Sequence, residues 1–246
     1  MVATSLPSIA GQSVAALGGA GSIIVRQRRD HERLHELVQQ VRAADGAEQD
    51  ELLTQLCRLV FPHAFAEEAV LFPAARKVLA AGEELSLDIE QEHQEINEVY
   101  SALERSRSGD EGREQLLERA IALLDHDVRE EEDELLPRLR AALDDQELRR
   151  LGWLWEIVRR TSPTRAHPVV SRRPPGQTLS ALPLTVLDRS RDQLDRLTRR
   201  APGPVAHASR AVSGALGTLA GIVEHLPPFP RGEDPSTHTP RTDVER

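Results

Sequence analysis

The sequence contains very little cysteine and few aromatic residues. Its one cysteine, Cys57, excludes an intramolecular disulfide and any zinc or iron–sulfur site built from several cysteines. A cytoplasmic location is the default expectation for such a chain. Aromatic residues make up 3% and hydrophobic residues 39% of the 246 residues, so the core must consist mainly of Leu, Val, Ile and Ala. This composition favours packed helices over a β-sandwich.

Long apolar runs and an excess of basic residues are also missing. No stretch reaches the roughly 18 apolar residues of a membrane-spanning helix, so we expect no membrane span. The net charge is −9, and we expect no nucleic-acid partner, because such binding depends on neutralising phosphates with Lys and Arg. Residues 1–21 have no basic residue and are rich in Gly, Ala and Ser. This pattern predicts a flexible lead-in rather than a secretory signal.

Four long segments of the chain carry apolar residues with a helical period. They span about residues 22–44, 48–80, 86–107 and 113–143. The short turns between them predict an all-α protein, an up-down-up-down four-helix bundle. Pro62 lies inside the second segment and predicts a kink just before His63. A fifth helix is expected to begin at Asp144 or Asp145 and to dock on the bundle through Trp153, Leu154, Ile157 and Val158.

The rest of the chain has a different character. We interpret residues 22–161 as the bundle with its docking helix, residues 162–183 as a Pro/Arg-rich linker, and residues 184–226 as a C-terminal helical extension. The part of the chain after the bundle is expected to be partly disordered, with one or two short helices. Its last helix offers a surface for self-association. Residues 227–246 are predicted to be a disordered tail.

The second and fourth helical segments repeat the same motif. The matched pairs are Glu67 with Glu131, Glu68 with Glu132, Leu71 with Leu135 and Pro73 with Pro137. A duplicated hairpin with acids and histidines at matched positions predicts a pseudo-two-fold site. Such a site suits a pair of metal ions.

Histidines and carboxylates lie on the apolar stripes of the helices. His63 and Glu67 are four residues apart and therefore point the same way. His31 and His93 also lie on the apolar stripes of their own helices. Burying such groups is costly unless they are paired or bound to metal. We therefore predict that these four residues are metal ligands.

The fourth helix offers two alternative ligand pairs. His126 and Glu130 have the four-residue spacing of the pair on the second helix, whereas the internal repeat selects Asp127 and Glu131. The apolar stripe is centred better on the second pair. We prefer Asp127 and Glu131 as ligands and keep His126 and Glu130 as the alternative.

Several other polar residues lie close in sequence to the predicted ligands. His35 lies one turn after His31 and is interpreted as a rim residue, although it could supply a further ligand. A run of acids is interpreted mainly as a solvated face; it consists of Glu68, Glu132, Asp133 and Glu134. Alternatively, Glu68 and Glu132 could fix the tautomer of a ligand histidine.

Ligand-type residues recur on successive helices in the order His31, His63-x-x-x-Glu67, His93 and a fourth-helix acid pair. This order resembles the hemerythrin-like (HHE cation-binding) family over about residues 22–143. Runs at 163–168 and 188–192 are similar to the tails of bacterial, actinobacterial-type members. The resemblance implies two non-haem irons, with these histidines as ligands and with Glu67 and the fourth-helix glutamate as bridges.

Two positions depart from the family pattern. Asn97 stands where oxygen-carrying members have a second histidine, and Asp127 stands where the fourth-helix histidine is usual. An oxygen-richer ligand set favours ferric iron. We therefore expect a protein that handles or senses O₂, peroxide, NO or iron, with reversible O₂ carriage disfavoured. The alternatives are an interaction module with a degenerate metal site and a catalase-like or oxidase di-iron enzyme.

Overall fold

The computed structural model describes residues 6–106 and 109–237, and every regular element in them is helical. The long elements are α1 (Ile23–Ala43), α2 (Gly46–Ala66), α3 (Phe72–Val78), α4 (Gly82–Arg105), α5 (Arg113–Glu130), α6 (Leu136–Ala142), α7 (Asp145–Thr161), α8 (Gly176–Arg200) and α9 (Gly203–Val223). A π-helical turn, Glu67–Leu71, joins α2 to α3, and a second, Glu131–Leu135, joins α5 to α6. A short 3₁₀ helix, Pro235–Thr237, follows α9.

The first six helices form the predicted four-helix bundle, which confirms the fold class. α1 packs on α2, α4 packs on α5, and α3 packs on both α4 and α6. Its interior contains two apolar clusters, one around Leu71, Phe72 and Leu135 and the other around Ile96 and Leu124. Each of the four long segments of the bundle contributes apolar residues to both clusters, and a buried histidine or acid separates its two sets of apolar residues. A polar layer therefore crosses the bundle between the two clusters.

The two π-helical turns lie at the repeated motifs. The amide of Phe72 donates to the carbonyl of Glu67, and the amide of Leu136 donates to the carbonyl of Glu131. Each turn is followed by one of the paired prolines, which cannot donate to the carbonyl four residues earlier and would clash with it. A wider turn accommodates this defect. α2 continues through Pro62 to Ala66, so the proline does not break the helix, and the predicted kink stays a prediction.

The described part of the N-terminal lead-in packs on the bundle, contrary to the prediction of a flexible segment. Ile9 and Leu17 are fully buried. The amide of Ile9 donates to the carbonyl of Glu132 at 3.0 Å. Residues 1–5 of the predicted lead-in lie outside the described residues.

Helix α7 begins where the sequence predicts and docks through a face that includes only part of the predicted residues. The side chain of Asp144 accepts a hydrogen bond from the amide of Glu147 at 2.8 Å, which caps the helix. Of the four residues predicted to dock, Leu154 and Val158 are half-buried against the core. Trp153 and Ile157 are 62% and 43% exposed, so the prediction is wrong for them. The buried residues of α7 are Leu148, Leu151, Gly152 and Trp155. Their spacing of three and four residues defines the true apolar stripe.

Gly152 allows α7 to approach the lead-in closely. A Cβ at this position would lie 2.2 Å from the carbonyl oxygen of Gly21. We expect Gly152→Ala to lower the free energy of unfolding by about 1–3 kcal/mol through overpacking. Gly214→Ala, in the exposed middle of α9 with nothing within 4 Å of the new Cβ, should instead raise it by up to about 1 kcal/mol. Urea unfolding measures both changes, and a loss in both variants would contradict the packing argument.

Residues 162–237 are called the C-terminal extension, and they are more regular than the sequence suggests. Its two helices are 25 and 21 residues long and pack on each other. α8 begins at Gly176, inside the segment interpreted as a linker. Part of the predicted tail also has defined contacts, because the amides of Ser171 and Gly176 donate to the carbonyls of Phe229 and Arg231. Residues 238–246 of that tail lie outside the described residues.

None of the helices in the described part of the chain is both long enough and apolar enough to cross a membrane.

His167 ties the start of the extension to both of its helices. Its Nε2 lies 3.1 Å from Oδ2 of Asp188 on α8, and its Nδ1 lies 3.2 Å from Oε2 of Glu224 at the end of α9. Burial lowers the pKa of His167, but Asp188 and Glu224 outweigh it and raise the pKa from 6.5 to about 9.

This raised pKa predicts a pH dependence of stability. A group whose pKa is raised by folding stabilises fully below its unfolded value, so the His167 contribution should be complete below pH 6.5 and lost as the pH rises through about 9. The contribution is at most about 3 kcal/mol. His167→Gln removes the titration, so the wild type should lose more stability than this variant over that pH range. Equal losses in urea unfolding would contradict the assignment.

Candidate metal centre

The six preferred ligands come together in the polar layer between the two apolar clusters. They form two overlapping groups, in each of which the potential ligand atoms lie within 4.8 Å of one another. The first group contains His31, His63, Glu67 and Glu131, and the second contains His93, Asp127 and Glu131. All six residues are buried. Because Glu131 belongs to both groups, the layer has the arrangement of two adjacent cation positions with a shared carboxylate.

Distances within the layer place Glu67 between the two groups as well. His63 Nε2 lies 2.9 Å from Glu67 Oε1, while His93 Nε2 lies 3.7 Å from Glu67 Oε2. His93 Nε2 is also 3.4 Å from Asp127 Oδ1, and His31 Nε2 is 3.1 Å from Glu131 Oε2. Both of the central glutamates are the first residues of π-helical turns. The repeated turn therefore sets the two carboxylates at matching places in the bundle.

Most atoms that face the centre of the layer lack a hydrogen-bond partner. They are Nε2 of His31 and His93, Oδ1 of Asp127, and both carboxylate oxygens of Glu67 and Glu131. Some of these atoms lie within ion-pair distance of one another but without hydrogen-bonding geometry. A buried polar group left unpaired costs about 1–3 kcal/mol. Cations between these atoms would satisfy them all, and the mixture of imidazole and carboxylate donors fits iron.

Each histidine predicted to be a ligand has a carboxylate next to its Nδ1 atom. Nδ1 of His31 lies 2.8 Å from Glu132, Nδ1 of His63 lies 3.3 Å from Asp30, and Nδ1 of His93 lies 3.0 Å from Glu68. Such partners fix the tautomer and orientation of the ring and raise its basicity as a ligand.

These contacts decide between the two interpretations of the acidic run. Glu68 is buried and Glu132 is half-buried, so the solvated-face interpretation is wrong for them and the tautomer-fixing alternative describes their contacts. Asp133 and Glu134 are exposed, as predicted. Asp30 was not identified from the sequence. Its position next to His31 gave no sign that it contacts His63 on another helix.

The carboxylates keep the histidines basic. Burial lowers the pKa of His31, but its contacts with Glu131 and Glu132 outweigh burial and raise the pKa to about 9. The pKa of His63 is raised well above its ordinary value, against the effect of burial, by Glu67 and Asp30. Burial, and then the charge of Glu67, raises the pKa of Glu131. A metal ion entering this layer would therefore displace protons from the imidazoles.

The alternative ligands face away from the layer. His126 is exposed and lies 2.6 Å from Glu92. These two residues and Glu130 form a separate group near the surface. His35 is exposed.

Asn97, the first departure from the family pattern, has a structural partner of its own. Its Nδ2 donates to the carbonyl of His93 at 2.8 Å, and its Oδ1 accepts from the amide of His167 at 2.9 Å. Asn97 therefore connects α4 to the C-terminal extension.

Helix α7 contributes residues to the site that the sequence did not reveal. The ring of Trp155 stands edge-on to His63 with centroids 5.4 Å apart. The Arg159 guanidinium lies over Trp155, 5.3 Å from the ring centroid, and one of its nitrogens is 3.7 Å from Asp30. In the sequence, only the helical spacing of Leu148, Leu151 and Trp155 indicates that this face of α7 packs on the bundle.

A small apolar cavity adjoins the ligand residues. Its free volume is about 20 Å³, which is room for roughly one water-sized molecule. Its apolar walls come mainly from Leu34, Leu59, Val60, Phe61, Ile96 and Leu124. Apart from the ligands, its polar lining consists of Asp30 and Asn97, both of which already have partners. The cavity thus suits a small ligand of low polarity.

Comparisons with known proteins agree with this geometry. The chain matches the family described as Hemerythrin HHE cation binding domain over residues 22–139. It is also similar to an uncharacterized hemerythrin-like protein of Schizosaccharomyces pombe, with 24% identity over 174 residues that cover 68% of this chain and 84% of that protein. No solved structure matches the chain significantly.

Proposed function

Because residues 22–139 belong to the hemerythrin HHE cation-binding domain family, we propose that the polar layer binds two iron ions. One position uses His31, His63 and Glu67, and the other uses His93 and Asp127. Glu131 bridges the two positions, and Glu67 reaches the second as a further bridge. The first position is richer in nitrogen and the second in oxygen.

The convergence of unpartnered buried atoms carries this proposal. Neither carboxylate oxygen of Glu67 or of Glu131 accepts a hydrogen bond, although both residues lie in the middle of the bundle. Without cations, burying these two carboxylates would cost much free energy of folding. The carboxylates behind each histidine support the same conclusion, because ligand imidazoles almost always have such partners. A degenerate site would not keep these features, so the interaction-module alternative is disfavoured.

The cavity indicates what the irons would bind. Iron in such a site supplies affinity for O₂, NO or peroxide, and the cavity beside His63 and His93 would accept one of these small molecules. Cleavage of an O–O bond needs a proton donor. The polar lining residues outside the ligand set are Asp30, which is paired with His63, and Asn97. This lining favours binding or sensing over catalase-like or oxidase turnover. A cytoplasmic location remains a prediction from the single cysteine.

Anaerobic loading with Fe(II), followed by removal of free metal, tests the proposal. We expect about two irons per chain, and on admission of air a near-ultraviolet absorption of ferric iron bound by histidine and carboxylate. Fewer than about one iron per two chains would rule it out. Evolution of O₂ from added hydrogen peroxide at a catalytic rate would instead favour the enzyme alternative.

Helix α9 supports the predicted self-association, with a second copy of this chain as the partner. Its exposed large apolar residues are Val205, Val212, Leu219 and Ile222. Together with Ala208 and Ala215 they follow the alternating three- and four-residue spacing of a coiled-coil seam. The seam carries no charge, so it is complementary to itself. Leu219→Lys should shift the protein to monomer in analytical ultracentrifugation, and a wild type that is already monomeric would refute self-association.

A further inference from the structure

We infer that the C-terminal extension is a positioning element for the His93 side of the metal site, so that docking of residues 167–177 and metal binding at that position favour each other. This inference rests on the proposed function. It assigns a role to a segment that lies outside the matched family domain, which ends at residue 139.

The segment binds one face of α4 on both sides of His93. Glu90, Gln94 and Asn97 lie on this face at helical spacing, and all three are buried. The carbonyl of Pro168 accepts a hydrogen bond from Gln94, and the amide of His167 donates to Asn97, each at 2.9 Å. Arg173 Nε donates to Glu90 Oε2 at 2.8 Å. These contacts fix the α4 turns that carry His93.

The segment also binds the carboxylate behind His93. Gln177 Nε2 donates to Glu68 Oε2 at 3.1 Å, while Glu68 Oε1 lies 3.0 Å from His93 Nδ1. Arg172 Nη1 is 3.6 Å from Glu68 Oε1. Both Gln177 and Arg172 are buried. The extension therefore orients Glu68, and through it the imidazole of His93.

The other two ligand histidines have no such contact with the extension among the described residues. His31 is fixed by Glu132 of the second π-helical turn, and His63 by Asp30 of α1. Undocking of the extension should therefore affect one metal position and spare the other. Because coupling between two binding events is reciprocal, metal at the His93 position should in turn strengthen docking of the extension.

A Co(II) titration of the full chain, followed by its visible ligand-field bands, tests the first half of this coupling. The wild type should bind Co(II) in two steps. In Gln177→Ala we expect the Co(II) affinity of one step to fall about 10–100-fold, the usual effect of removing a residue that orients a metal ligand. The affinity of the other step should not change. Gln177→Glu, which sets a like charge against Glu68, should weaken the same step further. The matched control is Arg191→Ala, which removes a contact between the extension and Glu104, well away from His93.

Limited trypsin digestion, with and without Co(II), tests the reciprocal half of the coupling. Cleavage of the Arg172–Arg173 bond should slow when Co(II) is bound, and Gln177→Ala should lose this protection. Equal weakening of both steps, equal effects of Gln177→Ala and Arg191→Ala, or metal-independent cleavage would overturn the inference. If the wild type binds no Co(II) or Fe(II) at all, it is the proposed function that fails.

Discussion

Glu131→Gln is expected to reduce the iron content from about two per chain to less than about one half. Glu131 is the residue common to both groups of potential ligand atoms. A neutral amide of the same shape cannot bridge two cations, so both positions lose a ligand at once. No other single substitution in the layer touches both groups in this way, apart from the weaker reach of Glu67 toward His93.

Glu134→Gln is the matched control for this experiment. Glu134 lies in the same π-helical turn but is exposed and pairs with Arg138, so its loss should leave the iron content unchanged. Iron is counted per folded chain, with helical content checked by circular dichroism. Wild-type iron content in Glu131→Gln would show that the layer is not the binding site.

Trp155→Ala is expected to lower the free energy of unfolding by about 3–5 kcal/mol, the range for large-to-small changes in cores. Trp155 is 1% exposed and packs in the apolar cluster that joins α7 and the lead-in to the bundle. It also contacts the His63 ring, so the variant should bind the first metal more weakly as well.

Trp153→Ala tests whether the effect is specific to the buried face. Trp153 is 62% exposed, and its loss should change the free energy of unfolding by no more than about 0.5 kcal/mol. Urea unfolding followed by circular dichroism measures both variants. A larger loss for Trp153→Ala than for Trp155→Ala would mean that α7 docks through the face first predicted from the sequence.

The parts of the fold and site that the sequence predicted are those that follow from local periodicity. The helical stripes defined the four bundle rods, and the internal repeat selected Asp127 over His126. In the structure Asp127 lies in the buried layer, and His126 lies outside it. This selection was possible because one residue of helix rotates a side chain by about 100°, so an apolar stripe distinguishes neighbouring positions sharply.

The features that the sequence did not reveal depend on contacts between distant segments. Asp30 contacts His63, which lies on another helix. Gln177 donates a hydrogen bond to Glu68, which is 109 residues earlier in the chain. The π-helical turns had a local signal in the paired prolines, but a proline alone does not specify them, since Pro62 is accepted within α2. Residues 162–183 have no helical period in the sequence, which predicts an extended linker, and their order comes instead from contacts of His167, Pro168 and Arg173 with α4.

The asymmetry of the layer bears on the proposed function. The first group has two histidines and the second has one. Asn97, in place of a further histidine, instead connects α4 to the extension. The group with fewer nitrogen atoms is thus the one that the extension contacts.

The most direct test of the central claim is a crystal structure of the iron-loaded protein with anomalous diffraction at the iron edge. Two anomalous peaks are expected in the buried layer. One should lie among His31, His63, Glu67 and Glu131, and the other beside His93, Asp127 and Glu131. Peaks at His126 and Glu130 with none in the layer, or an iron-loaded crystal whose layer contains no anomalous density, would contradict it.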